Sequence, residues 1–176
     1  MGSNVYVCVR MCVYAHVRVR MCAFVCIRVR MSVYVTICVC TYAKIFVRER
    51  TYTYMLVRVC MFAYVYICVR TCISVFVHVH KCVYVFVCVC ACSYVYVCVC
   101  MCTYVFAHVC MCVYVCISVH MCAYVYIRVH TGVYVYIRIP TCAYMYVCVH
   151  MSAYVWVYVR TCFYVYLFVP MCTYGC

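Results

Sequence analysis

The chain alternates between two classes of residue along its whole length. Val, Met, Ala, Ile and Thr fill almost all odd-numbered positions, whereas every Cys, Tyr, His and Arg lies at an even-numbered position. Successive side chains of an extended strand point to opposite faces. The pattern therefore predicts strands with Val, Met and Ala on one face and Tyr, Cys, Arg and His on the other. The dominant residues also favour strands, and a helix would mix both classes on each face.

A second period of ten residues is superimposed on the first. Ten-residue blocks tend to open with Met or Thr followed by Cys, and to close on Val followed by Arg, His or Cys, as a comparison of residues 121–130 with 141–150 shows. The repeat covers the whole chain, and no linker or change of composition interrupts it. We therefore interpret residues 1–176 as a single low-complexity decapeptide-repeat region without a domain boundary.

Residues that specify turns are scarce. The chain has 3 Gly and 2 Pro and no Asn-Gly or Asp-Gly pair, so we expect bends at the block boundaries, where Gly132, Pro140 and Pro170 are found. The predicted fold is all-β: an irregular antiparallel meander of short strands with roughly ten-residue repeats. Because the blocks are nearly identical, registers shifted by two or ten residues are almost equivalent, and we expect an aggregation-prone or poorly specified structure.

The genetic code offers a common cause for the alternation. Val, Met, Ile, Thr and Ala, which dominate the odd positions, all have codons of purine–pyrimidine–purine form, and Cys, Tyr, His and Arg at even positions all have codons of pyrimidine–purine–pyrimidine form. The exceptions, such as Phe24, Ser32 and Trp156, lie one base away. Every stop codon contains two adjacent purines, so a strictly alternating DNA strand has none. The scarcity of Leu, present only at Leu56 and Leu167, fits nucleotide bias better than selection for packing. We interpret the sequence as the translation of alternating purine–pyrimidine repeat DNA.

Composition makes self-association or association with membranes the expected behaviour. Hydrophobic residues make up 75% of the chain and charged residues 9%, against about 45–50% and about 25% in typical soluble domains. A compact monomer would expose large apolar patches. The formal net charge of +13 permits non-specific attraction to phosphates, but no nucleic-acid-binding motif is present, and we expect no specific nucleic-acid partner.

The residues that catalysis requires are almost absent. Glu49 is the only carboxylate, which excludes paired acid–base chemistry and triads oriented by Asp. No Gly-rich phosphate loop occurs, and a Cys–His dyad can be drawn in too many ways to single one out. We expect that the chain is not an enzyme and has no catalytic residue and no cofactor.

The 25 Cys residues raise the question of a metal site. The densest group comprises Cys88, Cys90, Cys92, Cys98, Cys100, Cys102, Cys110 and Cys112. Along one strand, alternate side chains are about 6.5–7 Å apart, whereas thiolates that share a zinc ion must approach to about 4 Å. His78, His80 and Cys82 likewise lack a Cys-x-x-Cys or second His pair that would complete a finger. We therefore expect only adventitious metal binding and assign no metal ligands.

An uncharged segment provides a membrane alternative. Residues 82–107 carry no charged side chain and exceed the ~20 residues needed to cross a bilayer. Three function classes remain open: a repeat-derived polypeptide with no assignable biochemical function, a hydrophobic membrane-associated protein, and a Cys-rich metal-binding or structural protein. In a cell, we expect the chain to be membrane-associated or aggregated, with non-specific membrane or self-association as its only interactions.

Overall fold

The computed structural model describes residues 4–175, and the side chains of all of these except 41–43, 172, 174 and 175. Two strands account for nearly all of the described chain: β1 (Asn4–Phe168) and β2 (Met171–Gly175), joined through a bend at Pro170. The described residues contain no helix. The all-β class is confirmed.

Strand β1 is wound into a coil in which each turn takes two of the ten-residue blocks. β2 pairs in parallel with an earlier part of the chain, and Met171 lies opposite Met151, which stands two blocks before it. Aromatic rings two blocks apart also stack along β1, as Tyr124 does on Tyr144 at 4.9 Å between centroids. The accessible surface of 9463 Å² is close to the about 8,900 Å² expected of a compact monomer of this mass. With two blocks in each turn, β1 makes roughly eight turns, which we call coils.

Each coil contains two long sides and two short sides. On a long side, formed by residues whose numbers end in 4 to 0, alternate residues point inward: Val25, Ile27 and Val29 are buried. On a short side, formed by residues ending in 1 to 3, Met121 is exposed and Cys122 is buried. Odd-numbered residues thus face inward on the long sides and even-numbered residues on the short sides, because two consecutive side chains point outward at each bend. We call the long sides at 14–20, 34–40 and so on in every second block side A, and those at 4–10, 24–30 and so on in the alternate blocks side B.

The core is built from columns of identical or similar residues, one from each coil. Val69, Val89, Val109 and Val129 form one such column and are each at most 1% exposed. Inward-facing residues of both long sides and both short sides belong to the same hydrophobic cluster. Burying each Val contributes on the order of 1.5–3 kcal/mol, so the repeated Val and Ile positions supply most of the stabilisation.

The predicted antiparallel meander of short strands is wrong in direction and in strand length, since the pairing is parallel and β1 is continuous. An antiparallel hairpin needs a tight reversal, which usually requires positive φ angles. The described chain has no residue with positive φ and no cis peptide bond. Two short sides per coil avoid the reversal. Each begins at a predicted block boundary, where residues such as His120 and Met121 both point outward, and ends inside the block, at residues such as Ala123 and Tyr124. Parallel stacking also places each block on its equivalent, which aligns Val with Val and Tyr with Tyr.

The prediction that Met lies on the same face as Val holds only on the long sides. Met55 and Met145, which lie there, are buried, whereas Met11 and Met21 at the short sides are 77% and 79% exposed. The bends explain the difference. Two consecutive residues point outward at each bend, so odd-numbered residues such as Met11 face outward on the short sides.

Aromatic ladders run along the outside of the coils. On side B, two neighbouring ladders stand side by side, with rings 4.7–5.0 Å apart in successive coils. Their members are Tyr64, Tyr84, Tyr104, Tyr124, Tyr144 and Tyr164 in one ladder, and Phe46, Tyr66, Phe86, Phe106, Tyr126, Tyr146 and Tyr166 in the other. The spacing matches that of neighbouring parallel strands and fixes the register from outside.

Candidate functional site

Three metal-binding side chains meet on the outer surface of side A. His78 comes from one coil, and Cys98 and Cys100 come from the next, because residues two blocks apart lie beside each other. One ligand atom from each of the three lies within 4.8 Å of the other two, and Nε2 of His78 is 4.0 Å from Sγ of Cys100. Cys98 is buried, and the other two side chains are half-buried. No other group of three His, Cys or carboxylate donors in the described residues is as close.

The surroundings of His78 and Cys98 favour the uncharged form of each side chain. Burial, together with the neighbouring His80 and Arg58, lowers the pKa of His78 below its usual value. Burial and the adjacent Cys100 raise the pKa of Cys98. At neutral pH the imidazole is therefore neutral and can offer a lone pair, and the Cys98 thiol keeps its proton until a competing cation displaces it.

The structure divides the dense cysteine group of the sequence among four places. On side B, Cys88, Cys90 and Cys110 point outward, and on side A, Cys98 and Cys100 do so. The remaining thiols belong to the two short sides: Cys92 and Cys112 to one, and Cys102 to the other. His78 and His80 lie on side A with their rings 4.6 Å apart, whereas Cys82 is buried at a short side. Thiols on different sides of the coil thus lie apart even when they are close in sequence. The Sγ atoms of Cys98 and Cys100, alternate residues of one strand, lie within 4.8 Å of each other, so the expected separation of about 6.5–7 Å is wrong for this pair.

The thiols of the short sides form hydrogen bonds with backbone carbonyl groups. Cys122 donates to the carbonyl oxygens of Tyr124, at 3.1 Å, and Thr103, at 3.3 Å. Ser152 makes the equivalent pair of bonds to Tyr154 and Val133. These bonds satisfy carbonyl groups at the bends, where the regular strand geometry is interrupted. A hydroxyl or a thiol is sufficient for this role, which is structural.

Neighbouring thiols in a short side also touch each other. The Sγ atoms of Cys72 and Cys92 are 2.9 Å apart, and those of Cys142 and Cys162 are 2.8 Å apart. Its contact with Cys92 and its burial raise the pKa of Cys72 far above the usual range of a thiol. These thiols are reduced in the structure.

Glu49, the only carboxylate, is enclosed in the core. It occupies a position in the Val column between Val29 and Val69, is 0% exposed, and neither of its carboxylate oxygens has a hydrogen-bond partner in the described residues. Burial raises its pKa from 4.5 to about 8. Arg48 and Arg50 are exposed on the opposite face and do not neutralise it. A carboxyl group sealed from solvent has no access to a substrate.

The first and last described coils leave apolar edges uncovered. Inward-facing residues of the first coil, such as Val7 and Val17, are only partly buried, whereas Ile27 and Ile37 in the next coil are 0% exposed. At the other end, Val165 is 52% exposed. No other described residue covers the outer backbone edges of these coils, apart from the short segment that β2 covers.

No protein family, no curated protein and no solved structure matches the chain. No helix in the described part of the chain has the length and apolar character that a bilayer crossing requires.

Proposed function

We propose that the chain is a structural polypeptide without enzymatic activity, and that its coils associate end to end into filaments. The observation that carries the proposal is the pair of uncovered coil ends. Each end presents an unpaired strand edge and a row of partly exposed apolar core residues, among them Val17 and Val165. Exposed edges of this kind are templates for pairing with another chain.

The repeat makes the two ends complementary. Within one chain, each coil accepts the next in parallel register, and the offset is two blocks. The first coil of a second copy carries the same residue types in the same order, so it can continue the Val columns and Tyr ladders of the last coil. The contact is head to tail and does not close on itself, which gives a filament instead of a small oligomer.

This function fits an origin in alternating purine–pyrimidine DNA. Filament formation needs only the repeat, whereas an enzyme or receptor needs a site that departs from it. An alternating DNA strand would supply the two-residue period on which the strands depend.

The experiment compares the reduced full-length chain with end-blocking variants. We expect the wild type to form filaments above a threshold concentration, with a fibre-diffraction spacing of about 4.7–4.8 Å. Val17→Lys with Val165→Lys places an inward-pointing charge at each coil end, and we expect this double variant to remain monomeric. The matched control is His16→Lys with Thr161→Lys, which adds the same two charges at exposed, outward-facing positions outside the aromatic ladders. The control should assemble as the wild type does.

Analytical ultracentrifugation and electron microscopy measure both outcomes. Far-UV circular dichroism should show the same strand content in all three proteins. A wild type that stays monomeric at millimolar concentration would refute the proposal, and so would equal assembly of the end-blocked and wild-type chains.

A further inference from the structure

The cluster on side A has the donors and the spacing of a metal site. We propose that His78, Cys98 and Cys100 bind one zinc ion, with a water molecule as the fourth ligand. The site lies between interior coils and not at a coil end, so it does not depend on filament formation.

The geometry requires only small side-chain movements. In tetrahedral coordination with Zn–S bonds of about 2.3 Å and Zn–N bonds of about 2.0–2.1 Å, donor atoms are about 3.5–3.8 Å apart. His78 Nε2 and Cys100 Sγ are already at 4.0 Å, and no pair in the cluster exceeds 4.8 Å. Each pair must therefore close by about 1.3 Å or less. We expect rotation of the Cys and His side chains to achieve this without moving the strands.

The donor chemistry favours zinc over other common cations. Two thiolates and one imidazole suit a borderline-soft ion, whereas Mg²⁺ and Ca²⁺ require oxygen donors, and Glu49, the only carboxylate, is enclosed in the core. Zn²⁺ with two thiolates is electrically neutral, which suits a half-buried position better than a bare cation does.

Binding releases protons from the two thiols, one to the solvent for each Zn–S bond that forms.

The test must separate this site from scattered binding to the other thiols. The reduced full-length protein is loaded with one equivalent of Zn²⁺ and titrated with a chromophoric chelator, and X-ray absorption counts the ligands. We expect one tightly held ion with two sulfur neighbours and two nitrogen or oxygen neighbours. His78→Gln and Cys98→Ser should each weaken its retention at least tenfold.

The chain offers a matched control on side B. Sγ of Cys88 is 3.9 Å from Nδ1 of His108, but among the described residues no third His, Cys or carboxylate donor lies within 4.8 Å of both atoms. Cys88→Ser and His108→Gln therefore remove the same residue types from a similar surface and should leave the tight ion in place. A further variant, His78→Cys, should restore binding with three sulfur neighbours, which a purely structural role for His78 would not produce.

Three results would overturn the proposal. One is a shell of four sulfurs in the wild type, and another is unchanged zinc retention in His78→Gln. The third is an equal loss of retention in the side B controls, which would show binding by thiols in general. Circular dichroism of each metal-free variant identifies any that fails to fold, and for such a variant His78→Cys provides the decisive comparison.

Discussion

The buried carboxyl group of Glu49 gives the sharpest test of the coil structure. Replacing it in Glu49→Val restores the Val column between Val29 and Val69, which are at most 1% exposed. The variant removes an unpaired polar group and a titratable site from the core in a single step. We expect it to be more stable than the wild type at neutral pH, although it changes no outer residue.

The magnitude follows from proton linkage. The unfolded chain loses the Glu49 proton near pH 4.5, whereas the folded chain keeps it until about pH 8. Between these values the folded state holds more protons than the unfolded state, so wild-type stability falls as pH rises, and above pH 8 the loss is complete. The raised pKa of Glu49 lowers the free energy of unfolding by about 1 kcal/mol at pH 5, about 3 kcal/mol at pH 7 and about 4 kcal/mol at pH 8.

Guanidinium unfolding at low protein concentration, at pH 5 and at pH 8, measures the effect. The advantage of Glu49→Val over the wild type should be larger at pH 8 by about 3 kcal/mol. Other titrating groups are common to both proteins and cancel in the comparison. Glu49→Gln is the control: it should abolish the pH-dependent part and keep the cost of about 1–3 kcal/mol for an unsatisfied buried polar group. An equal advantage at both pH values would refute the burial of Glu49 and, with it, the inward-facing Val column.

Two further predictions probe the stacking of coils. A mild thiol oxidant should join Cys72 to Cys92, whose Sγ atoms are 2.9 Å apart, whereas Cys26, whose register neighbours are aromatic, should stay free. Peptide mapping identifies the disulfide bond. Because the bond closes a loop of two blocks, it should add about 3 kcal/mol to the free energy of unfolding. Failure of this pair to form when other pairs do would contradict the register. Tyr124→Ala removes a ring that stacks on both ladder neighbours and should cost about 1–3 kcal/mol in the same unfolding assay. Met121→Ala, at an exposed position in the same coil, should cost under about 0.5 kcal/mol.

The sequence predicts the local structure of this protein well. The period of two and the dominance of Val and Tyr lead to an all-β chain, and the ten-residue period locates the bends. Both are local properties, since they depend on the alternation of side chains and on the residues at each block boundary. The inward-facing Val25, Ile27 and Val29 follow directly from them.

The two-block turn does not follow from the ten-residue repeat. One block can form one long wall and one short side, but a hydrophobic wall needs a second wall to cover it. Two blocks therefore close one coil, and the structural period is twice the sequence period. This doubling places His78 beside Cys98 and Cys100, which lie two residues apart on the next coil. A separation of two blocks between donors is the sequence signal that identifies the group.

The short sides escape prediction for a different reason. Alternation assumes that the backbone stays extended, but each bend places two neighbouring side chains on the outside. Cys122 then points inward and Met121 outward, opposite to what parity predicts. The short wall has room for a small side chain, and Cys, Ser and Gly occupy most of these positions. Tyr52 is an exception, and its buried hydroxyl donates to the sulfur of Met55 at 2.9 Å.

Glu49 also bears on the origin of the chain. A protein selected for stability would have lost an unpaired core carboxylate that costs about 3 kcal/mol at pH 7. In repeat DNA, the same residue needs only one base change, from the Val codon GTG to GAG, which breaks the alternation of purine and pyrimidine at a single point. The fold tolerates the change because the other columns of Val and Ile, and the other members of this column, remain in the hydrophobic core. We infer that redundancy of the repeat, and not adjustment of individual residues, holds this fold together.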